Sequence, residues 1–359
     1  MTRFRTICAL LVIALFATTS FSAPALTDSL KAGKADIKSA GVMTFAPEGV
    51  LFVADSVGGN IFAFDTQDRT ASQAAPVDIA GINEKIAAML GTMPDQILIN
   101  DLAVNPISKK MYLSVSRGRG PTATPVIVRV DSKGAIQQLA LDNISHAKLA
   151  LGDTPAFAGD NPRQNPITDL AFVDGKLLIA GLSTEEFAST LRAAAFPFTT
   201  AKGAGIEIWH GAHGRYETQA PVRTFVPYKI GNEQNIIAAY TCTPLVKIPV
   251  ASLTPGAKVK GTTIAELGSG NQPLDMITYT KAGKSFILLN NSNRGVMKMG
   301  ADNLGNFKPI TTPTDIAGVP YESIKTLTGV TQLDKLDDNT AVILQTAGNA
   351  VALKTIALP

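Results

Sequence analysis

The chain has 359 residues, 45% of them hydrophobic and 17% charged, with a net charge of +3. Sparse charge and an ordinary apolar fraction exclude intrinsic disorder. A net charge this small over this length excludes the basic surfaces that hold nucleic acid or anionic membranes. The length suits two ordinary domains or one large repetitive one.

The N-terminus reads as a secretory signal peptide. Arg3 and Arg5 precede an apolar run over residues 7–16, and small and polar residues follow to Ala23-Pro24-Ala25. A basic start, a short apolar core and an A-x-A site are the features that export machinery cuts. Cleavage is expected after Ala25, leaving 26–359 as one domain in the periplasm or outside the cell; an uncleaved anchor is the alternative. No later stretch approaches the roughly 18–20 apolar residues of a membrane span, so no span is expected after cleavage. Cys8 leaves with the signal and Cys242 remains alone. No intramolecular disulfide can then form, and packing must supply the stability.

One pattern recurs along the mature chain: an apolar strand, a turn, a second strand, a polar turn and a third strand. The copies fall at 42–45, 51–55 and 60–65; at 101–104, 110–114 and 126–130; at 169–173, 176–180 and 205–209; at 222–226, 235–240 and 245–249; at 275–279, 285–290 and 295–298; and at 329–333, 340–345 and 350–356. Self-similarity at a fixed period marks stacked units, and four antiparallel strands per unit describe a propeller blade. The expected fold is all-β: a single β-propeller of six blades, seven being the alternative. Fourth strands are expected at 75–79, 136–141, 215–218 and 262–266. The last blade lacks an outer strand of its own, and residues 35–39 are expected to close the ring, hiding a sheet edge. A short helix is expected over 81–90. Ser183-Thr-Glu-Glu186 matches a capping box, so 184–194 is expected as a helical insertion in the third blade, and 183–204 as a cover for the channel mouth.

Val50-Leu-Phe-Val-Ala-Asp55-Ser-Val-Gly-Gly-Asn60-Ile-Phe-Ala-Phe64 resembles the inner hairpin of NHL-type and gluconolactonase-like (SMP-30) propellers, and Asn100-Asp101-Leu-Ala-Val-Asn-Pro106 is similar to their strand opening. The resemblance recurs in each blade. It implies the propeller fold. Its lactonase branch implies acidic and Asn/Asp ligands around a divalent metal, a pattern into which Glu48 and Asp101 could fall; the full ligand set is not in register here.

In a propeller, the start of strand one and the turn after strand two share a face, here termed upper. Asp101, Asp169 and Asp275 open first strands on that face. Three equivalent carboxylates suit a hard cation such as Ca²⁺, or they accept main-chain hydrogen bonds as structural residues. Arg117, Arg119, Arg163, Arg192, Arg223 and Arg294 are expected to overhang the same face with Asn291, offering bidentate forks to an anionic ligand or solvated side chains. Cys242 in Tyr240-Thr-Cys-Thr-Pro244 is a buried small hydrophobe or a soft ligand. His210 and His213 resemble half of a zinc or copper site. The end of an expected third strand places them on the face opposite Cys242, which separates the two. No phosphate-binding loop, dinucleotide fingerprint, nucleophile elbow or zinc-protease motif occurs.

Three readings stand on these residues. The first is an exported module that binds a small molecule or periplasmic protein through the upper face. The second is a metal-dependent lactonase-like or lyase-like enzyme on the same face, with Asp101, Asp169 and Asp275 as ligands. The third is an accessory protein for an exported metalloenzyme, using Cys242 or the histidines.

Overall fold

The computed structural model describes residues 25–159, 161 and 163–359, so the expected signal segment lies outside the described residues except for Ala25. It is an all-β, six-bladed propeller with a single α-helix among the described residues, Ile82–Leu90, where the sequence placed one. No described helix is long and apolar enough to cross a membrane.

The blades are numbered I to VI by the order of their inner strands. Blade I carries Met43–Phe45, Val50–Asp55 and Asn60–Asp65, and blade II runs from Ile97–Val104 through Met111–Arg117 and Thr124–Val130 to Ile136–Gln138. Blade III opens with Ile167–Val173 and Lys176–Leu182, and blade IV with Val222–Ile230 and Glu233–Tyr240. Blade V opens with Pro273–Lys281 and Lys284–Asn291, and blade VI with Val330–Lys335 and Thr340–Ala347. All six residues of Val50–Asp55 are buried. Successive side chains of a strand leave on opposite faces. Phe52 and Ala54 therefore pack toward blade III, while Leu51 and Val53 pack toward blade II.

That division reveals the ring order. Six apolar clusters each join one pair of neighbours: I with III, III with IV, IV with V, V with VI, VI with II, and II with I. The blades thus do not follow one another in chain order. After blade I the chain passes to the edge of blade VI, where Asp78–Ile79 pairs with Ala350–Ala357. It then builds the helix and blade II, and returns to blade I as Ile144–Ala150, paired with Asn60–Asp65.

Two expectations are corrected here. Residues 75–79 supply the outer strand of blade VI rather than of blade I. Residues 35–39 do not close the ring; they cross the upper side of blade I, where Asp55 accepts hydrogen bonds from the Lys38 and Ser39 N–H groups and Ala35 packs at the I–II boundary.

The helical insertion is the third correction. Ser189–Ala195 is a strand, paired along its length with Lys176–Leu182 and then with Ala204–His210. Ser183 makes a hairpin turn instead of a helix cap: its N–H donates to Ala188 O, and its hydroxyl accepts from Glu185 N. A free edge on Lys176–Leu182 outweighs the helix propensity of a Leu/Ala/Glu-rich segment. Arg192 consequently points inward. It is fully buried and donates to Asp153 Oδ1 at 2.6 Å, and does not overhang the upper face.

The I–III boundary tests the ring order. Phe52 stacks on Phe172 with ring centroids 5.4 Å apart, and meets Phe196 edge-on at 5.0 Å. Phe52→Ala is expected to cost about 3–5 kcal/mol. A denaturation double-mutant cycle between Phe52→Leu and Phe172→Leu should give a coupling of about 0.5–1.5 kcal/mol. A sequential ring would hold the two rings a blade apart and give none.

Candidate functional site

Five of the six inner strands carry a β-bulge at the same level. The register shifts at Asn100, Thr168, Arg223, Leu274 and Thr331, each one residue before Asp101, Asp169, Thr224, Asp275 and Gln332. In a regular strand, adjacent side chains leave on opposite faces. A bulge re-aims one of them. Here the pairs Asn100-Asp101, Thr168-Asp169, Arg223-Thr224 and Leu274-Asp275 all line one cavity of about 250 Å³ at the upper mouth of the channel.

Other segments complete the walls. Ser39, Ser56, Ser116, Asn165 and Gln332 add polar atoms, and Val57, Leu98 and Phe157 add apolar surface. Phe157, Gly159 and Asn165 line the cavity from the Pro/Asn-rich stretch before blade III, whereas no residue of 183–204, the expected cover, lines it. Arg119 is on the rim, its guanidinium donating to Asp95 O.

The carboxylates hold the floor. Asp101 Oδ2 accepts from Met43 N at 2.6 Å, Asp169 Oδ2 from Phe225 N at 2.7 Å, and Asp275 Oδ2 from Leu333 N at 2.8 Å. Asp334, two residues beyond Gln332, accepts from Val104 N at 2.6 Å. Each bond runs from one blade to the next in the same rotational sense: III to IV, V to VI, VI to II, II to I. The second oxygens of Asp169, Asp275 and Asp334 accept from their own following N–H groups at 2.7 Å. Burial pushes the Asp169 and Asp334 carboxyls up to about 6. Asp101 and Asp275 are also raised well above the ordinary carboxyl range, through burial first and then repulsion from the other aspartates of the ring.

Arg223 is the least exposed of the three cations that line this cavity, the others being Lys38 and Arg119. Its guanidinium lies close enough to Asp169 and Asp275 to interact with both charges, and burial lowers its own pKa. Its Nε is buried with no hydrogen-bond partner.

The cavity thus gathers Asp101, Asp169, Asp275, Arg119 and Arg223 from the residues singled out in the sequence. It does not gather the others. Arg117 is exposed at the end of its strand. Asn291 is buried at the end of Lys284–Asn291 with both amide atoms unpartnered, and Arg294 packs by Gly268 and Ser269. Arg163 lies instead within electrostatic reach of His210 and Cys242.

The separation of Cys242 from the histidines is overturned. His210, His213 and Cys242 each bring a donor atom within 4.8 Å of the others, and they are the one such group of three among the described residues. Because Ser189–Ala195 is a strand, Ala204–His210 is the fourth strand of blade III and not the third. It therefore runs the other way and ends on the upper face, beside the turn after Glu233–Tyr240. Glu217 binds both rings: its carboxylate meets His210 Nδ1 at 2.8 Å and His213 Nδ1 at 2.7 Å. Burial opposes its ionisation, but the bonds from His210, His213 and Arg215 hold it down to about 2.

Asn165, Thr168, Gln332 and Asp334 were not marked in the sequence. The signal for Asp334 was present, as an Asp in the sixth copy two places after the position of its three counterparts.

No family model matches the chain, and no curated protein matches it in sequence. Solved structures match in outline. A chain of the mitotic checkpoint complex aligns with 98% of this chain and all of its own, at 10% identity and a TM-score of 0.40. A glucose dehydrogenase-like oxidoreductase of Thermus thermophilus aligns with 91% of this chain and all of its own, at 11% identity and a TM-score of 0.33. Likenesses this distant carry no activity across. The NHL/SMP-30 resemblance gains no sequence-family support beyond the shared hairpins, and the six-bladed fold is what holds.

Asp169 and Asp334 bind protons more tightly folded than unfolded, where a carboxyl sits near 3.9. Their protonated contribution is full below about pH 4 and is lost as pH rises through about 6. The melting temperature is expected to fall across that window, and to go on falling as Asp101 and Asp275 ionise. Lys109, Lys335 and Arg223 face this ring and moderate the fall. Asp334→Asn should flatten the profile in thermal melts at constant ionic strength. A melting temperature that climbs from pH 4.5 to 7 in the parent protein would contradict the assignment.

Proposed function

We propose that the protein is an exported binding module that holds a small hydroxylated carboxylate in the upper mouth of its channel. Arg223 carries this reading. Its bulge turns a guanidinium with an unpartnered Nε into a cavity whose other cations, Lys38 and Arg119, are exposed, and whose carboxylates Asp101, Asp169 and Asp275 already accept main-chain hydrogen bonds. A guanidinium is a rigid fork matched to a carboxylate. The neighbouring aspartates have oxygens committed to main-chain bonds and high proton affinities, so they suit the hydroxyl groups of a ligand better than they neutralise Arg223. At about 250 Å³ the cavity is smaller than the roughly 300–1,000 Å³ that houses drug-sized ligands, which fits a molecule of a few carbons.

The enzyme reading has one supporting observation. A carboxyl near 6 suits general acid–base work at neutral pH, and Asp169 is such a group beside Arg223. The metal-dependent form of that reading must share its carboxylate oxygens with the blade-to-blade bonds.

Thermal-shift and calorimetric titration with lactate, tartrate, gluconate and glucuronate, with glucose as the neutral control, tests the binding reading. At least one acid should raise the melting temperature, and Arg223→Met should weaken it 100-fold or more while remaining folded. Equal binding by Arg223→Met, or no response to any acid, sinks it. Chemical turnover of a bound acid, lost in Asp169→Asn, would decide for the enzyme. Export is checked by intact mass: a chain recovered from outside the cytoplasm should begin near residue 26, and a full-length cytoplasmic chain would refute it.

A further inference from the structure

We propose a second site, separate from the channel cavity, in which His210, His213 and Cys242 bind one thiolate-preferring transition metal ion, zinc(II) or copper(I). None of the three lines the cavity.

The local fold brings the donors together. His210 ends the strand Ala204–His210, and the turn Gly211-Ala-His213-Gly214 leads back into Arg215–Glu217, with His210 opposite Arg215. The His213 N–H donates to His210 O, and the two rings lie with centroids 3.8 Å apart, tilted by 35°. Gly211 lets the turn approach blade IV: its N–H donates to Glu266 Oε1 at 2.7 Å, and a Cβ there would stand 2.8 Å from Thr314 O. Cys242 projects from the tight turn between Glu233–Tyr240 and Pro244–Pro249, at φ +90°.

The donor atoms are then free in the way a metal needs. Glu217 takes the Nδ1 of both histidines, which leaves Nε2 of each as the free nitrogen. A carboxylate on the far nitrogen fixes tautomer and orientation, as metal-bound histidines require. His210 is 2% exposed and its Nε2 has no partner, a cost that an ion would remove. Buried and equally unpartnered nearby are Thr241 Oγ1, Thr243 Oγ1 and Glu266 Oε2. The His213 side chain keeps 37% of its surface in solvent, so an ion can reach the site from the upper face. Two imidazoles and one thiolate are a borderline-to-soft set, which suits zinc(II) and copper(I) and not calcium or magnesium. Binding replaces the Cys242 S–H bond with a metal–sulfur bond and releases that proton to water.

The test uses the metal-free mature protein with its thiol reduced. Cobalt(II) stands in for zinc, and a chromogenic chelator competes for copper(I) under anaerobic conditions with ascorbate. One equivalent of cobalt should produce a thiolate-to-metal charge-transfer band that zinc abolishes, or one equivalent of copper(I) should be withdrawn from the chelator. Cys242→Ser should lose the band. His213→Ala, at a partly exposed position that tolerates truncation, should weaken binding at least 10-fold, and Glu217→Gln about 10- to 100-fold. Arg223→Met should leave metal binding unchanged, which separates this site from the channel. Zinc alone or copper alone identifies the ion. Binding of both metals that is absent, or that is unaltered by Cys242→Ser and His213→Ala, overturns the site.

Discussion

A main-chain N–H of one inner strand donating to the carboxylate of its neighbour is the interaction on which this propeller turns. Four such bonds, at Asp101, Asp169, Asp275 and Asp334, run the same way around the channel. Each joins two neighbouring sheets at the channel, beside their apolar contacts and side-chain bonds such as Thr168 Oγ1 to Val222 O, Asn290 Nδ2 to Val330 O and Gln332 Nε2 to Asn100 O. An N–H left unpaired so deep would cost about 1–3 kcal/mol. The bulge before Asp101, Asp169 and Asp275 sets the register in which their bonds are made. It also sends the preceding side chain into the mouth of the channel. The same device that locks the ring therefore builds the cavity: remove the bulge in blade IV, and Arg223 and Thr224 part to opposite faces.

The ring order follows from where the outer strands come from. Blade VI borrows Asp78–Ile79, and blade I borrows Ile144–Ala150. The segment over 77–79 thus clasps the C-terminal strand, with Val77 and Thr355 exchanging main-chain and hydroxyl hydrogen bonds. The helix Ile82–Leu90 fills the seam between blades II and VI with Ile82 and Ile86. Blades VI, II and I are stitched together by chain crossings, and blades I and III meet at an aromatic wedge around Phe52 and at Ser56, whose hydroxyl donates to Asn165 Oδ1.

Much of the fold was legible in the sequence. Each inner hairpin announces itself by β-branched and aromatic residues between turn signals, as in residues 50–64, and the equivalence of Asp101, Asp169 and Asp275 was visible from their place at strand openings. The blade order was not legible. Outer strands are short and half-exposed, and nothing in Asp78–Ile79 or Ile144–Ala150 specifies which edge it joins; that choice belongs to tertiary packing. The segment over 184–194 misled for a related reason. Its Leu, Ala and Glu content favours a helix, but an unpaired strand beside it decides the matter. That single misreading shifted blade III by one strand and put His210 and His213 on the wrong face, hiding the cluster they form with Cys242. Arg223 was marked as one of six arginines, but a bulge cannot be seen in a single sequence, so its inward aim could not be told from the outward aim of Arg117.

The buried carboxylate ring is the central claim, and carboxyl-carbon NMR of protein labelled at aspartate reads it most directly. Titrated from pH 3 to 9, Asp169 and Asp334 should change protonation near 6, and Asp101 and Asp275 well above the ordinary carboxyl range, each assigned by its Asn variant. Four aspartates that all ionise near the ordinary value of about 3.9 would show that burial does not raise them, and the ring would then not be the desolvated one described above.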